Sequence, residues 1–329
     1  MRKKVVVLGA RGLAGSAIKK RVWESGVSQV LCPRSFELDL REQADVREYF
    51  DKHKPDEVYF AAALVGGILA NKTRKAEFLY DNLMMQSNVI DAAYCAGVKK
   101  LLFLGTSCIY PAGLQHPIKE EELLTGPLEP TNDAYSIAKI AGIKMCDFYR
   151  EQYGFNAISV MPPNLYGPGD NFDKDSGHVL ASLMRKFDEA KLMGDKQVVC
   201  WGDGSPRREF LHSDDLAGAC VYLMENYSES GHLNLGSGQE VTIKELAETI
   251  ADVVGFEGEI VWDTNMPNGN PRKLLDSSKA FDMGWKPLVE LRDGIETTYQ
   301  YYIENVRLET NGRHSNSSRQ NETSVVYSQ

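Results

Sequence analysis

Short continuous runs of apolar residues alternate with amphipathic helical patterns along the first half of the chain. The runs lie at 5–9 (VVVLG), 58–63 (VYFAAA), 100–107 (KLLFLGTS) and 157–162 (AISVMP), and they are typical of strands buried on both faces. Helical periodicity covers about 12–25, 42–53, 76–96 and 133–153. This alternation predicts an α/β fold with a doubly wound parallel sheet wrapped by helices.

The pattern changes after about Pro163, where Gly, Pro and Asp cluster at 164–172, 201–210 and 266–273. We expect long functional loops in these segments. Residues 232–255 predict a strand, a turn and a helix capped by Thr242. The chain is therefore expected to form a first domain of residues 1–164 plus about 211–236, and a smaller C-terminal α/β lobe of residues 165–210 and 237–306. The polar, aperiodic tail 307–329 is predicted to be disordered.

Composition narrows the class of protein. The 329 residues are 43% hydrophobic, which is enough for a substantial core, and the net charge of −9 argues against a general nucleic-acid-binding protein. No run approaches the ~18 apolar residues that span a bilayer, and the start MRKKVVVLGARG is expected to be a first strand rather than a signal peptide. The six cysteines lack CxxC spacing, which predicts no metal site and reduced thiols in a cytoplasmic protein. Two sequons, at Asn316 and Asn321, are expected to be chance matches.

Three glycines, Gly9, Gly12 and Gly15, lie between the first predicted strand and the first helix. Small residues there let the backbone approach a pyrophosphate, and the N-terminus of the helix attracts its negative charge. The alternative is tight packing of strand against helix without a ligand. The position of the triplet favours a dinucleotide held by a Rossmann domain. The predicted cofactor contacts are Gly9, Ala10, Arg11, Gly12, Leu13, Ala14 and Gly15.

The segment after the second strand indicates which dinucleotide binds. NAD-preferring sites usually present an acid to the adenosine ribose at this point, whereas the segment VLCPRSFELDL has no acid before Glu37. Arg34 lies at the strand end and Arg11 lies within the glycine loop, so two guanidiniums are available to a 2′-phosphate. NADP or NADPH is therefore the predicted cofactor. The alternative is that one or both arginines are merely solvated.

Tyr135 and Lys139 are four residues apart in a predicted helix, so their side chains project from one face. A free tyrosine has a pKa of about 10, which is too high for acid/base work at neutral pH. A neighbouring ammonium group stabilises tyrosinate and lowers that value. Thr106, at the end of an upstream strand, adds a hydroxyl that could donate to a substrate carbonyl. An exposed helical pair without function is the alternative for the YxxxK pattern alone.

Several longer stretches accompany these features, at 62–73 (AALVGGILANKT), 104–111 (LGTSCIYP), 129–144 (EPTNDAYSIAKIAGIK), 161–172 (MPPNLYGPGDNF), 177–187 (GHVLASLMRKF), 201–217 (WGDGSPRREFLHSDDLA) and 270–276 (NPRKLLD). Over about residues 4–305 the chain resembles the extended short-chain dehydrogenase/reductase family of nucleotide-sugar enzymes. The resemblance is greatest to members that epimerise C3 and C5 of GDP-4-keto-6-deoxy-D-mannose and then reduce C4. It implies a reductase triad of Thr106, Tyr135 and Lys139, and an epimerisation acid/base pair of Cys108 and His178.

The residues after Thr106 separate two activities within this family. The related 4,6-dehydratases place Asp and Glu there, and these acids expel a hydroxyl group as water. This chain has Ser107 and Cys108 instead, so it retains a thiol that can exchange a C–H proton but lacks the acid that dehydration needs. Cys108 fits the base and His178 the acid on the opposite face of the sugar. The alternative for Cys108 is an ordinary buried cysteine.

The resemblance implies further contacts. Cofactor contacts extend to Ser35, Asp39, Leu40, Leu104, Gly105, Ser107, Pro162, Pro163, Asn164, Leu165 and His178, besides Arg34, Thr106, Tyr135 and Lys139. Substrate contacts are Lys186, Trp201, Arg208 and Asn268. The arginine assignment is open by one position, because Arg207 precedes Arg208, and each substrate contact has an alternative as surface charge or core aromatic. Thr106 stands where the family commonly has Ser, and Pro163 stands where Thr is usual. Both departures leave room for an altered substrate.

The predicted reaction is the NADPH-dependent conversion of GDP-4-keto-6-deoxy-D-mannose to GDP-L-fucose in a cleft between the two lobes. One alternative is a related GDP-sugar epimerase/reductase that acts on a 6-deoxyheptose or a dideoxyhexose. The other is a non-catalytic regulator that senses NADP, against which the intact Tyr135/Lys139 pair argues. Members of the family are usually homodimers through two long helices. The apolar content of 76–97 is consistent with such an interface and also with an intramolecular core.

Overall fold

A computed structural model describes residues 3–174, 177–266 and 268–307 of the chain. Its main sheet has six parallel strands in the order β2-β1-β3-β4-β5-β9. The strands are β1 (Lys4–Leu8), β2 (Gln29–Leu31), β3 (Glu57–Phe60), β4 (Lys100–Leu104), β5 (Ala157–Met161) and β9 (His232–Asn234). The strand order reverses at β1 and β3, which confirms the predicted doubly wound Rossmann architecture.

Helices cover both faces of this sheet. One face packs against α1 (Leu13–Glu24) and α7 (Ser213–Asn226), and the other against α2 (Gln43–His53), α4 (Lys75–Cys95) and α5 (Asp133–Tyr153). All five residues of β4 are buried, as expected for a strand covered on both sides. The helix predicted over 133–153 has those bounds in the structure.

Two strands, β3 and β4, end well before the apolar runs predicted, whereas β1 and β5 end one residue before. β3 ends at Phe60 and β4 at Leu104, so residues 61–63 and 105–106 lie in loops at the carboxyl edge of the sheet, and Ser107 begins a short helical turn. The backbone N–H of Ser107 donates to the carbonyl of Pro162 at 3.0 Å, which joins the loop after β4 to the loop after β5. Apolar composition alone does not mark this exit, because loop residues at a sheet edge are also buried. The exit places the triad hydroxyl of Thr106 outside the strand.

A second group of elements packs around its own core. A small sheet contains β6 (Asn164–Tyr166), β8 (Arg207–His212), β10 (Glu240–Thr242) and β12 (Arg272–Lys273), and β7 (Gln197–Trp201) pairs with β11 (Glu259–Asp263). The helices α6 (Val179–Met193), α8 (Ile243–Val254) and α10 (Leu291–Tyr302) cover them. Two short helices, α3 (Ile68–Thr73) and α9 (Ser278–Asp282), complete the described α-helices.

The segments predicted as long loops at 164–172, 201–210 and 266–273 contain the strands β6, β8 and β12. These strands are two to six residues long and pair with segments remote in sequence, so local periodicity does not reveal them. The domain boundaries themselves stay a prediction. The tail beyond residue 307, with both sequons, lies outside the described residues.

Thr242 caps α8, as the sequence predicted. Its Oγ1 accepts a hydrogen bond from the backbone N–H of Glu245 at 3.0 Å, and the Glu245 carboxylate accepts from the N–H of Thr242 at 2.7 Å. This reciprocal pair is a capping box and satisfies two N–H groups that the helix leaves without partners. It fixes the start of α8 directly after β10.

A buried carboxylate connects β8 to the elements around it. Glu209 accepts hydrogen bonds from the backbone N–H groups of Gly238 at 2.8 Å and Leu275 at 3.0 Å. Burial raises the pKa of Glu209 to about 7, and the backbone donors favour its charged form. Through these bonds Glu209 holds the chain after β12 against β8.

In the described part of the chain no helix is long and apolar enough to cross a membrane. The same residues contain no group of three or more His, Cys, Asp or Glu side chains arranged to hold a metal ion.

Candidate active site

A cavity of about 460 Å³ opens at the carboxyl ends of β4 and β5. It brings together residues that are far apart in sequence. From the predicted site it contains Gly105, Thr106, Ser107, Cys108, Tyr135, Pro162, Pro163, Asn164, Leu165, His178, Lys186, Trp201, Arg208 and Asn268. Ligands of α/β sheets bind at this edge, because the loops after successive parallel strands meet there.

Tyr135 lines the cavity, whereas Lys139 lies behind it and is buried. The Nζ of Lys139 donates to the carbonyl of Leu104 at 2.8 Å and lies 4.8 Å from the centroid of the Phe103 ring. It is 5.8 Å from the centroid of the Tyr135 ring. Burial lowers the pKa of Lys139 to about 7, because the charged form loses its hydration. The pair therefore has the one-sided arrangement that the four-residue spacing predicted.

Cys108 lies in a short helical turn that begins just after Thr106. Its backbone N–H donates to the Thr106 Oγ1 at 3.3 Å, and its Sγ is 3.4 Å from the Nζ of Lys273 on β12. Burial opposes ionisation of the thiol, but the positive charge of Lys273, aided by Thr106 and His178, holds the pKa of Cys108 below its ordinary value. The position of a half-buried thiol in the cavity beside a cation favours a chemical role over simple packing.

His178 lies immediately before α6 and points a ring nitrogen at a buried carboxylate. Its Nδ1 is 3.0 Å from the Oδ1 of Asp170, which also accepts from the backbone N–H of Asn171 at 2.7 Å. An ionised carboxylate only accepts, so Nδ1 is assigned as the donor. Burial alone would lower the pKa of His178, but the charge and hydrogen bond of Asp170 raise it above the ordinary value. This arrangement favours an imidazolium that can give up a proton.

Lys273 and Asp170 were missed by the sequence analysis. Lys273 lies in the quoted stretch NPRKLLD, but it reaches Cys108 only because β12 pairs with β8. Asp170 precedes His178 by eight residues and lies in the segment 164–172 that was predicted as a loop, so no periodic pattern places the two together. The Asp170–His178 contact could have been suggested by one signal, the presence of a carboxylate close in sequence to a candidate acid histidine.

The predicted substrate residues line the far wall of the cavity. Lys186 places its Nζ 5.9 Å from the centroid of the Trp201 ring, which is 60% exposed. The Oδ1 of Asn268 accepts from the backbone N–H of Asp203 at 2.9 Å. Arg208 lines the cavity, whereas Arg207 extends toward Glu240, 3.8 Å from its carboxylate. The alternation of side chains along β8 therefore favours Arg208 over Arg207 for substrate contact.

The glycine loop lies apart from this cavity and has the shape of an anion site. Gly9 has a φ of +82°, and a Cβ on it would meet the backbone nitrogen of Ala62 at 2.7 Å. A Cβ on Gly15 would overlap the carbonyl oxygen of Gly9. Gly12 precedes α1 and no side chain caps the helix, so its first N–H groups remain available to a phosphate.

The adenosine side of the predicted cofactor site is set by the segment after β2. Arg34 is exposed, and its guanidinium carbon lies 5.6 Å from the centroid of the Phe36 ring. The nearest acid, Glu37, accepts from the backbone N–H of Arg34 at 2.7 Å. Asp39 is paired with Arg41 at 2.7 Å, which lowers the pKa of its carboxyl group. The remaining predicted cofactor contacts do not line the cavity. They are Ala10, Arg11, Leu13, Ala14, Ser35, Leu40 and Leu104.

Comparison with known proteins identifies the family. Residues 5–236 match the NAD dependent epimerase/dehydratase family. The chain belongs to this family. It is 57% identical over 303 residues to GDP-L-fucose synthase 1 of Arabidopsis thaliana. The aligned region covers 92% of this chain and 94% of that protein.

Solved structures extend the comparison. A GDP-L-fucose synthetase from Naegleria fowleri bound to NADP is similar with a TM-score of 0.84 and 31% identity, over 92% of this chain and 94% of that one. A GDP-6-OMe-4-keto-L-xylo-heptose reductase from C. jejuni has a TM-score of 0.88 and 36% identity, over 92% and 99%. The family and the Rossmann fold predicted from sequence are therefore confirmed.

Replacing Asp170 with Asn should lower the titration midpoint of His178. The variant keeps the size of the side chain but removes the negative charge that favours the imidazolium. Side-chain NMR of the histidines across a pH series measures the midpoint. His53, on α2, is the internal reference and should not change. A midpoint of His178 equal to that of the wild-type protein would show that Asp170 does not set its protonation.

Proposed function

We propose that this protein converts GDP-4-keto-6-deoxy-D-mannose to GDP-L-fucose by 3,5-epimerisation followed by reduction at C4. The observation that carries the proposal is one cavity containing a thiol beside a cation, a histidine beside a carboxylate and a tyrosine beside a buried lysine. The 57% identity to a GDP-L-fucose synthase, against 36% to the heptose reductase, supports the deoxymannose derivative over a heptose.

The epimerisation uses the first two groups. The 4-keto group acidifies the hydrogens on C3 and C5, because the resulting carbanion is stabilised as an enolate. The Cys108 thiolate removes the proton, so a C–H bond breaks, an S–H bond forms and the electron pair moves to the C4 oxygen. His178 then gives a proton to the opposite face, which forms the inverted C–H bond. The thiol and the neutral imidazole return to their starting states by exchange with solvent.

The reduction uses the third group. The glycine loop and the uncapped start of α1 fit a dinucleotide pyrophosphate, and NADPH supplies a hydride for C4 when bound. Tyr135 donates its phenolic proton to the C4 oxygen, and Thr106 donates a hydrogen bond to the same oxygen. The charge of Lys139 stabilises the tyrosinate that is left. Arg208 and Lys186 bind the diphosphate of the substrate, and Trp201 packs on a ring.

The two steps should separate in variants when GDP-4-keto-6-deoxymannose and NADPH are followed by absorbance and product NMR. Tyr135→Phe should reduce about 10²–10⁴-fold more slowly, yet still incorporate deuterium at C3 and C5 in D₂O without NADPH. Cys108→Ser should epimerise poorly, because a hydroxyl is a far weaker acid than a thiol of pKa about 8.5. It should still reduce the ketone and release GDP-6-deoxy sugars of the wrong configuration.

Each variant serves as the control for the other, because both keep the remaining groups of the cavity. GDP-L-fucose from Cys108→Ser at the wild-type rate would make the thiol a packing residue. Loss of exchange together with reduction in Tyr135→Phe would contradict the division of roles. A wild-type protein that binds NADPH but turns over neither this substrate nor a GDP-heptose would support a regulator instead.

We propose NADPH over NADH as the cofactor. Arg11 and Arg34 are both exposed next to the predicted ribose site, and the acids at Glu37 and Asp39 are engaged by neighbouring groups. A charge-assisted hydrogen bond to phosphate contributes about 1.5–3 kcal/mol, so kcat/KM should favour NADPH at least tenfold. Arg34→Gln should narrow that ratio, whereas Arg21→Gln, elsewhere on α1, should leave it unchanged. Equal use of both cofactors by the wild-type protein would refute the assignment.

We also propose a homodimer through α4 and α5. Both helices bury one face in the intramolecular core, yet they expose Tyr80, Ile137 and Phe148 to 62%, 49% and 58%. Ile137 and Phe148 lie about three turns apart on one side of α5, and Tyr80 adds an exposed aromatic ring on α4, which supports a helical interface. The six free cysteines suit a reducing compartment, and we place the protein in the cytoplasm.

Replacing Phe148 with Asp should convert the dimer to a monomer, because a charge in an apolar interface lacks a partner. Light scattering after size-exclusion chromatography measures the mass. The matched control is Trp23→Asp, which changes an aromatic residue on α1 that is 71% exposed. A monomeric wild-type protein would contradict the dimer. A Phe148→Asp protein that stays dimeric would contradict an interface formed by α4 and α5.

A further inference from the structure

Lys273 is the one charged group in hydrogen-bond contact with the Cys108 thiol among the residues that the structure describes. Its Nζ lies 3.4 Å from the Sγ, although the two residues are separated by 165 positions. In the same described part of the chain, Lys273 forms no ion pair with a carboxylate. Its charge is therefore directed at the thiol rather than neutralised by an acid.

The position of Lys273 is fixed by its surroundings. β12 runs parallel to β8, with Lys273 in register with Arg208. The preceding residue, Arg272, faces the other way and binds Glu240 at 2.8 Å. Two residues later, the N–H of Leu275 donates to the buried carboxylate of Glu209 at 3.0 Å. These contacts hold the strand on both sides, so the ammonium group does not depend on a flexible loop.

Electrostatics around the thiol favour its charged form. The groups that act on Cys108 are the ammonium of Lys273, the hydroxyl of Thr106, the imidazole of His178 and the guanidinium of Arg208. Burial opposes ionisation, and a cation at hydrogen-bond distance offsets that cost. Of the two basic side chains in this set, Lys273 and Arg208, it is Lys273 that contacts the sulfur directly.

We propose that Lys273 is a positioning residue that holds the Cys108 thiol ionised and oriented for proton abstraction. The inference rests on the proposed function, because it assigns the thiolate as the base of the epimerisation. The ammonium keeps its own protons throughout. The thiolate takes the proton from carbon to become a thiol, and Lys273 then favours the return of that proton to solvent.

The test measures the thiol without substrate. Iodoacetamide reacts with the thiolate, so mass spectrometry of the Cys108 peptide across a pH series reports its ionisation. Lys273→Met should raise the midpoint of the Cys108 profile and lower the alkylation rate at pH 7 about tenfold. Lys273→Arg keeps the charge and should keep a midpoint below that of Lys273→Met. Exposed Cys95, in the same digest, is the internal reference.

The matched control is Lys279→Met, which removes the same charge from a nearby lysine that pairs with Glu120. It should leave the Cys108 profile unchanged. If Lys273→Met does not fold, Lys273→Gln carries the same comparison with a polar but neutral end. A wild-type midpoint at or above the ordinary thiol value of about 8.5 would overturn the proposal. So would a folded Lys273→Met or Lys273→Gln protein with the wild-type profile.

A second readout links the thiol to the reaction. With GDP-4-keto-6-deoxymannose, Lys273→Met should lose deuterium exchange at C3 and C5 about tenfold while the rate of hydride transfer is retained. A structural defect would lower both. Failure of the proposed function appears separately, as a wild-type protein that does not turn over this sugar, and the alkylation profile still decides the role of Lys273.

Discussion

The hydrogen bond between the buried ammonium of Lys139 and the carbonyl of Leu104 determines how the rest of the site is arranged. A buried cation without a partner is costly, so this 2.8 Å contact holds α5 against the last residue of β4. Tyr135, one turn earlier on α5, is thereby placed beside the chain that leaves the strand. The loop after β4 bonds in turn to Pro162 after β5, so both loops share one frame. Thr106, Cys108 and Tyr135, which we propose for the two reactions, are therefore positioned by the same sheet edge.

The opposite wall of the cavity depends on a buried carboxyl group. Glu209, next to the cavity residue Arg208 on β8, accepts hydrogen bonds from the backbone N–H groups of Gly238 and Leu275. Through Leu275 it fixes β12, which carries Lys273. The cavity is thus formed between two sheets, each held by one buried ionisable side chain that hydrogen-bonds to main-chain atoms. Such partners are independent of side-chain rotamers, which suits a site where small displacements are costly to catalysis.

The sequence predicted the parts of the fold that repeat over many residues. The helix at 133–153 was placed with its bounds, because its apolar stripe is long and Gly154 follows it. The cap at Thr242 was predictable because it is a local feature, and the Glu245 that completes it lies three residues away. The strands β6, β8 and β12 were missed, because their stability comes from pairing with remote segments rather than from their own pattern. Lys273 was missed for the same reason, because only the pairing of β12 with β8 brings it to Cys108.

The three proton-handling groups of the cavity differ because each has a different immediate neighbour. Lys139 is buried among apolar rings and a carbonyl, which lowers its pKa, whereas Asp170 raises the pKa of His178. Lys273 acts in the opposite sense on Cys108, whose pKa it lowers despite burial. These shifts move Cys108 toward the thiolate and His178 toward the imidazolium, the states that the proposed epimerisation requires. In the proposed reaction a separate cation, Lys139, stabilises the tyrosinate of Tyr135, so the reduction can follow in the same cavity without altering the first pair.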